Sequence, residues 1–180
     1  MKRFVVGLNT LVVMVLLAGA ALAADGIAGG TVKGVNAEKK EFVLTDSAGK
    51  DWTIKFGDDV VVNQAGKETN SGLKAGDLVN VCYEKGALTW TAHYILVQKG
   101  DSENWELLHG TVKSYDADKK DLTLTDDDKK DWSFNVRDAK AYLNRESAKF
   151  DQLKIGEHVL AILAKADGKT NVKTVMCERK

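Results

Sequence analysis

The sequence predicts an all-β protein made of two tandem small barrels, each of five strands. Three observations carry this prediction. One pattern is written twice between residues 30 and 180, at a constant offset of 80 and without a gap. Within each copy, short runs alternate apolar and polar residues with a period of two. Turn residues punctuate those runs, and no amphipathic helix of real length separates them.

The N-terminal segment stands apart from the repeat. Lys2-Arg3 precede an almost wholly apolar run from Phe4 to Leu17, and Ala21-Leu22-Ala23 is a small-x-small sequence. These are the three regions of a secretory signal peptide. Cleavage is expected between Ala23 and Ala24. The expected organisation is therefore a signal over residues 1–23, a first repeat over 24–100 and a second over 101–180. The apolar run is short for a membrane anchor, and no cysteine follows it as in a bacterial lipoprotein. The mature chain is expected to carry no membrane span and to reside in a periplasm or outside the cell.

The strands follow in order. Strand one is expected from about Ile27 to Val35, matched by Leu107 to Tyr115. Here Gly30-Thr31-Val32-Lys33 returns as Gly110-Thr111-Val112-Lys113. Ala37-Glu38-Lys39-Lys40 is a polar turn. Strand two is Glu41 to Thr45, and its Leu44-Thr45-Asp46 ending returns as Leu124-Thr125-Asp126. Ser47-Ala48-Gly49-Lys50 turns into strand three, Asp51 to Phe56, with Lys50-Asp51-Trp52 repeated as Lys130-Asp131-Trp132. Alternation puts Phe42, Leu44, Trp52, Ile54 and Phe56 on one face. Thr53 and Lys55 fall on the other, so the sheet is expected to have one wet face. A less regular stretch leads to Leu73-Lys74-Ala75-Gly76-Asp77 and its twin Leu153-Lys154-Ile155-Gly156-Glu157. There the leucine is expected to pack a single helical or 3-10 turn onto the barrel end. Strand four is Leu78 to Glu84. Lys85-Gly86 and Asp167-Gly168 signal hairpins. Strand five is Leu88 to Val97, matched by Thr170 to Cys177. Five strands with a turn between the third and fourth describe an OB-like barrel, with an SH3-like barrel as the alternative.

One detail breaks the repeat. Leu160 and Ile162 lie on the outward phase of strand four, where the first copy has Asn80 and Cys82. An apolar pair on a nominally wet face implies a covered face, either against the first repeat or against another subunit. Trp105, beside the polar linker 99–104, is a candidate for the same seam or for a groove between barrels.

Charge excludes two classes of partner. The chain has 26 basic and 26 acidic residues, and loss of Lys2 and Arg3 leaves 24 against 26. Near neutrality lacks the electrostatic footprint of a nucleic-acid binder or of an anionic-membrane binder. The two cysteines, Cys82 and Cys177, are candidates for a disulfide in an oxidising compartment. They are not repeat equivalents, so a bridge would staple the two repeats together and contribute roughly 4 kcal/mol in the chain-entropy picture. Buried free thiols and an intermolecular bridge are the alternatives.

The remaining candidates read as structural. Trp52 and Trp132 can stack a base or sugar, but they share phase with core residues. His93, His109 and His158 have no histidine or cysteine partner at metal-ligand spacing. Asp126-Asp127-Asp128 with Asp131 lacks the ordered spacing of a calcium loop and is interrupted by Lys129-Lys130. Neither a nucleophile elbow nor a phosphate loop is present in the sequence. No catalytic residue, metal ligand or cofactor is assigned.

The Gly-Thr-Val-Lys, Leu-Thr-Asp, Lys-Asp-Trp and Leu-Lys-x-Gly-Asp/Glu-x-Val pattern resembles exported bacterial OB-fold domain proteins of uncharacterised function. More distantly it is similar to the periplasmic copper/silver chaperones of metal-efflux systems. The resemblance covers nearly all of the mature chain, twice, and implies fold more than activity. Trp52 and Trp132 fall near that chaperone family's Trp. The family's two methionines and its histidine have no counterpart here, so its soft-metal site is not carried over. The expected function is that of an exported, non-enzymatic binding or scaffolding protein of the cell envelope, acting on a small ligand or a protein. The alternatives are a periplasmic metal-handling protein and a self-associating subunit of an extracellular assembly.

Overall fold

The computed structural model describes residues 26–179. The signal segment and its Ala23–Ala24 junction lie outside the described residues. The first repeat forms β1 (Gly26–Asn36), β2 (Glu41–Thr45), β3 (Asp51–Gln64), β4 (Lys67–Thr69), β5 (Leu78–Lys85) and β6 (Trp90–Val97). The second forms β7 (Trp105–Asp116), β8 (Asp121–Asp126), β9 (Asp131–Asn135), β10 (Lys140–Leu143), β11 (Glu146–Ala148), β12 (His158–Ala166) and β13 (Lys169–Cys177). Among the described residues, no helix is long and apolar enough to cross a membrane.

Both halves share one strand order. In the first, β2-β1-β5-β6-β3 closes on itself through a β2–β3 ladder, and β3 runs parallel to β6. This is the five-stranded closure of an OB-like barrel. The second half is a seven-stranded sheet, β11-β10-β13-β12-β7-β8-β9, with β10 parallel to β13. Its third strand is split into β9 and β10. One residue accounts for the split. Gly57 passes so close to β6 that a Cβ there would stand 2.9 Å from the Ala92 carbonyl. The equivalent position carries Arg137, whose side chain cannot take that path, and the ladder breaks into a turn at Val136–Ala139.

The repeated motifs hold the β1–β2 and β7–β8 hairpins and the turn before strand four. A Cβ on Gly110 would stand 2.6 Å from the Thr125 carbonyl oxygen, and one on Gly30 would meet that of Thr45. Lys33 and Lys113 occupy bulges in β1 and β7. Each bulge re-aims its lysine, Lys33 onto Asp51 and Lys113 onto Asp131. Thr45 and Thr125 each donate to the same aspartate at 2.7 Å. In the Leu-Lys-x-Gly turn, the Gly76 N–H bonds the Val32 carbonyl at 2.8 Å and the Val32 N–H bonds the Asp77 carbonyl at 2.8 Å. Gly156, Val112 and Glu157 repeat this arrangement.

Each barrel has its own core. Val32, Phe42, Leu44, Ile54, Val79, Val81 and Ile95 fill the first, and Val112, Leu122, Leu124, Phe134, Val159, Leu163 and Val175 fill the second. Full burial of such a side chain contributes ~1.5–3 kcal/mol.

Two local expectations are corrected. The irregular stretch after Phe56 is a continuation of β3, which bulges between Phe56 and Val61 and then turns through Ala65-Gly66 into β4. Gly57-Asp58-Asp59 masks the alternation that Val60-Val61-Val62 resume. The 3-10 turn before the motif leucine forms only in the second repeat, at Phe150–Gln152. There Phe150 anchors it on Tyr115 at a ring separation of 5.9 Å, whereas the first repeat has Asn70-Ser71-Gly72 and no such anchor.

Candidate functional site

The two barrels meet through a third apolar cluster. It contains Cys82, Tyr94, Leu96, Leu107, Leu160 and Ile162, flanked by Ile27, Val61, Trp105 and Met176. Three pairs within it are repeat equivalents: Ile27 with Leu107, Cys82 with Ile162, and Leu96 with Met176. The outward faces of strands one, four and five thus pack on one another from both sides. The structure places Trp105, Leu160 and Ile162 together in this seam. Hydrogen bonds tie its rim. The Leu107 N–H donates to Asn80 Oδ1 at 3.0 Å, and Gln98 Nε2 donates to the Trp105 carbonyl at 2.7 Å. Ser102, fully buried in the linker, donates to the Val97 carbonyl at 2.7 Å.

The cysteines form no bridge, which corrects the expectation of a Cys82–Cys177 disulfide. Both are free and buried. Cys82 faces the seam, whereas Cys177 faces the interior of the second barrel, so the barrel wall separates them. Burial, with a smaller contribution from Asp127, pushes the Cys82 thiol up to about 12. Burial and then Glu157 push Cys177 up to about 11. Thiols held protonated in this way are poor nucleophiles.

Beside the seam opens a cleft of about 500 Å³. The β3–β4 hairpin forms one wall with Asn63, Glu68 and the neighbouring Tyr94. Strands β10 and β13 form the other with Lys140, Tyr142, Lys173 and Thr174. Trp105, Ile162 and Met176 supply apolar lining. Asn63 is almost fully buried, and its Nδ2 donates to Tyr94 Oη at 2.8 Å while that hydroxyl donates to Glu68 at 2.7 Å. Burial first, with Glu68 acting in the same direction, holds the Tyr94 hydroxyl well above the ordinary tyrosine range. It therefore stays protonated as a fixed donor. Arg145, at φ 67° in the β10–β11 turn, reaches Glu178 at 3.2 Å and the Asp59 carbonyl of the other barrel at 3.4 Å. A left-handed arginine costs about 1 kcal/mol, and the cross-barrel tie offsets that cost.

The other sequence candidates fall elsewhere. Trp52 and Trp132 sit half-buried at their barrel ends, each indole N–H held by Asp46 or Asp126 at 2.8 and 2.7 Å. Lys50 and Lys130 lie over the rings at 3.5 and 3.7 Å. In the first barrel the stack continues from Trp52 to Trp90 to Tyr83, each step 4.3 Å. Lys50 and Trp90 thereby both cover the Trp52 ring, which leaves it a poor platform for a ligand. His109 is buried, bonded through Nδ1 to Asp127 at 2.9 Å and stacked on His158 at 5.6 Å, and its Nε2 has no partner among the described residues. His93 contacts Glu84 at 3.3 Å. Among the described residues no group of three or more His, Cys, Asp or Glu side chains is placed to hold a metal ion.

The cleft was missed by sequence reasoning except at Trp105 and Ile162. Its walls come from strands whose outward positions read as ordinary wet-face residues. The available signal was the bulge position in strand five, where His93 and Lys173 disrupt alternation in both copies.

Carboxylates at the turns set the acid sensitivity. Trp52, then the Lys50 backbone, hold Asp46 below its ordinary value, and Trp132 does the same for Asp126. Lys33 and Lys113 lower Asp51 and Asp131, and Arg179 lowers Glu157. Depressed folded-state values mean stability that is complete above the unfolded value, about 4, and is lost as pH falls through the lower folded ones. The urea midpoint is therefore expected to stay level above about pH 5 and to fall below about pH 4. Asp46→Asn with Asp126→Asn should flatten that fall. An unchanged acid slope in the double variant would show that these turns do not couple to folding.

Comparison with family models and with curated proteins gives no match, so the argument about function rests on the cleft and the seam.

Proposed function

We propose that this chain is an exported, non-enzymatic binding or scaffolding protein of the cell envelope, built on two OB-like barrels, with the inter-barrel cleft as its binding site. The observation that carries the reading is the combination in that cleft of ligand-sized volume, an apolar lining and a few fixed polar groups. Those are the usual attributes of a small-molecule site. The shared seam supports it further, because walls held on packed strands need little reordering on binding. Export is inferred from the signal-like N-terminus.

The test is an unbiased screen of small ligands and envelope extracts against the mature protein, with Trp105→Ala beside it. Saturable binding that the variant weakens is the expected result. Saturable binding indifferent to Trp105 would move the site elsewhere, and no saturable binding would sink the binding role.

A further inference from the structure

Taking the cleft as the binding site, we propose that it accepts a small zwitterion with an apolar or aromatic side chain, a molecule of the amino-acid or dipeptide class, its ammonium end at Glu68 and its carboxylate end at Lys140 and Lys173. The charges of the cleft cancel in sum and divide between its walls. Among the described residues its lining holds three cations and three carboxylates. The first barrel contributes one of the six, Glu68. The second contributes Lys140, Arg145 and Lys173 against Asp138 and Glu178. One wall is therefore negative and the facing wall positive, each by a single charge. Such a field favours neither a bare anion nor a bare cation, and it orients a ligand that carries both charges.

Contacts within the walls leave this division in place. Arg145 and Glu178 are 3.2 Å apart and satisfy one another. Glu68 accepts the Tyr94 hydroxyl at 2.7 Å, and a neutral donor leaves the carboxylate its charge. Among the described residues Lys140, Lys173 and Asp138 have no side-chain partner. Asp138 offsets one of the two lysines, and the other remains. A bulge supplies it. In β13, Val172 pairs with Leu163 and Thr174 with Ile162, which leaves Lys173 as the extra residue. A bulge turns its extra residue out of the regular alternation. The matching bulge of the first barrel holds His93, which reaches Glu84 at 3.3 Å. Lys173 instead lines the cleft. Lys140 joins it from the next strand, opposite Thr174 in the parallel β10–β13 ladder. Lysine is a compact point charge with rotatable donors, suited to a carboxylate. Trp105, Ile162 and Met176 offer the contact surface for an apolar side chain. A cleft of about 500 Å³ has room for one molecule of this size.

The experiment is calorimetric titration of the mature protein at neutral pH with tryptophan, N-acetyltryptophan, tryptamine and indole. These share a ring and are in turn zwitterion, anion, cation and neutral molecule. Glu68→Gln, and Lys140→Gln with Lys173→Gln, are titrated in parallel. All three residues are exposed, and glutamine keeps an acceptor for the Tyr94 hydroxyl, so the fold is retained. Tryptophan should bind tightest, with each of its charges contributing about two- to fivefold. Glu68→Gln should weaken tryptophan and tryptamine by that factor and leave N-acetyltryptophan and indole unchanged. The lysine pair should weaken tryptophan and N-acetyltryptophan and leave the other two unchanged. Indole, tryptamine or N-acetyltryptophan matching tryptophan would overturn the zwitterion preference; loss in Trp105→Ala would then still keep the site in the cleft. Variants that weaken all four ligands alike, or that leave tryptophan unaffected, would overturn the placement of the charges. No binding of any of the four overturns this inference, while the ligand screen decides the binding role separately.

Discussion

Gly110→Ala is expected to destabilise the protein by about 3 kcal/mol, and Gly30→Ala by at least as much. Replacing glycine by alanine in an unstrained site ordinarily stabilises, by ~0.4–1 kcal/mol, because the unfolded chain loses freedom. Here that gain is overwhelmed. The added methyl at Gly110 would lie 2.6 Å from a backbone carbonyl oxygen of the neighbouring strand, and backbone cannot rotate away as a side chain can. Relief requires β7 and β8 to separate where Gly110 stands opposite Asp126. Gly34 is the internal control. It lies in the same β1 strand, with nothing within 4 Å of a Cβ added there, so Gly34→Ala should be neutral or slightly stabilising. Urea unfolding of the three variants measures this. Gly30→Ala and Gly110→Ala matching Gly34→Ala would show that the Gly-Thr-Val-Lys motif is not a close-approach device.

Ile162→Asp is expected to cost ~4 kcal/mol or more and to uncouple the two barrels. Ile162 is 2% exposed and central to the seam. Truncating such a side chain alone costs ~2–5 kcal/mol, and an unpaired carboxyl group at the same place adds its desolvation penalty. The residue belongs to neither barrel core, so each barrel keeps the side chains that fold it. The expected readout is calorimetric: one unfolding transition in the parent, and two transitions at lower temperature in the variant. A single transition with an unshifted midpoint would mean that the seam contributes nothing to cooperativity.

Much of this architecture was legible in the sequence, for identifiable reasons. The offset of 80 exposed the duplication because turn chemistry and core positions are constrained alike in both copies. Leu160 and Ile162 were readable as a covered face because two apolar residues broke a polar phase. The partner of that face was not readable, since Cys82 and Leu96 belong to strands far away in sequence. The continuation of β3 was hidden by Gly57-Asp58-Asp59, residues of low strand propensity that here permit a bulge. The cysteines were misjudged because the sequence cannot say on which side of a barrel wall a thiol lies. The cleft was the least visible feature. It exists only where the first barrel's hairpin faces the second barrel's β10 and β13, so no local pattern encodes it.

The near-equivalence of the two sides of the seam has a consequence for how the protein persists. Ile27 against Leu107, Cys82 against Ile162 and Leu96 against Met176 are what a two-fold pair of identical subunits would bring together. Here a linker of a few residues joins them, and docking becomes an intramolecular event governed by effective concentration rather than by the amount of protein. Two separate chains would part on dilution, and any cleft shared between them would vanish with the partnership. The covalent duplication removes that dependence. It also frees the two sides to diverge, so that Asn80 can oppose Leu160 and a histidine can answer a lysine at matching bulges, giving one asymmetric cleft where a symmetric pair would have two.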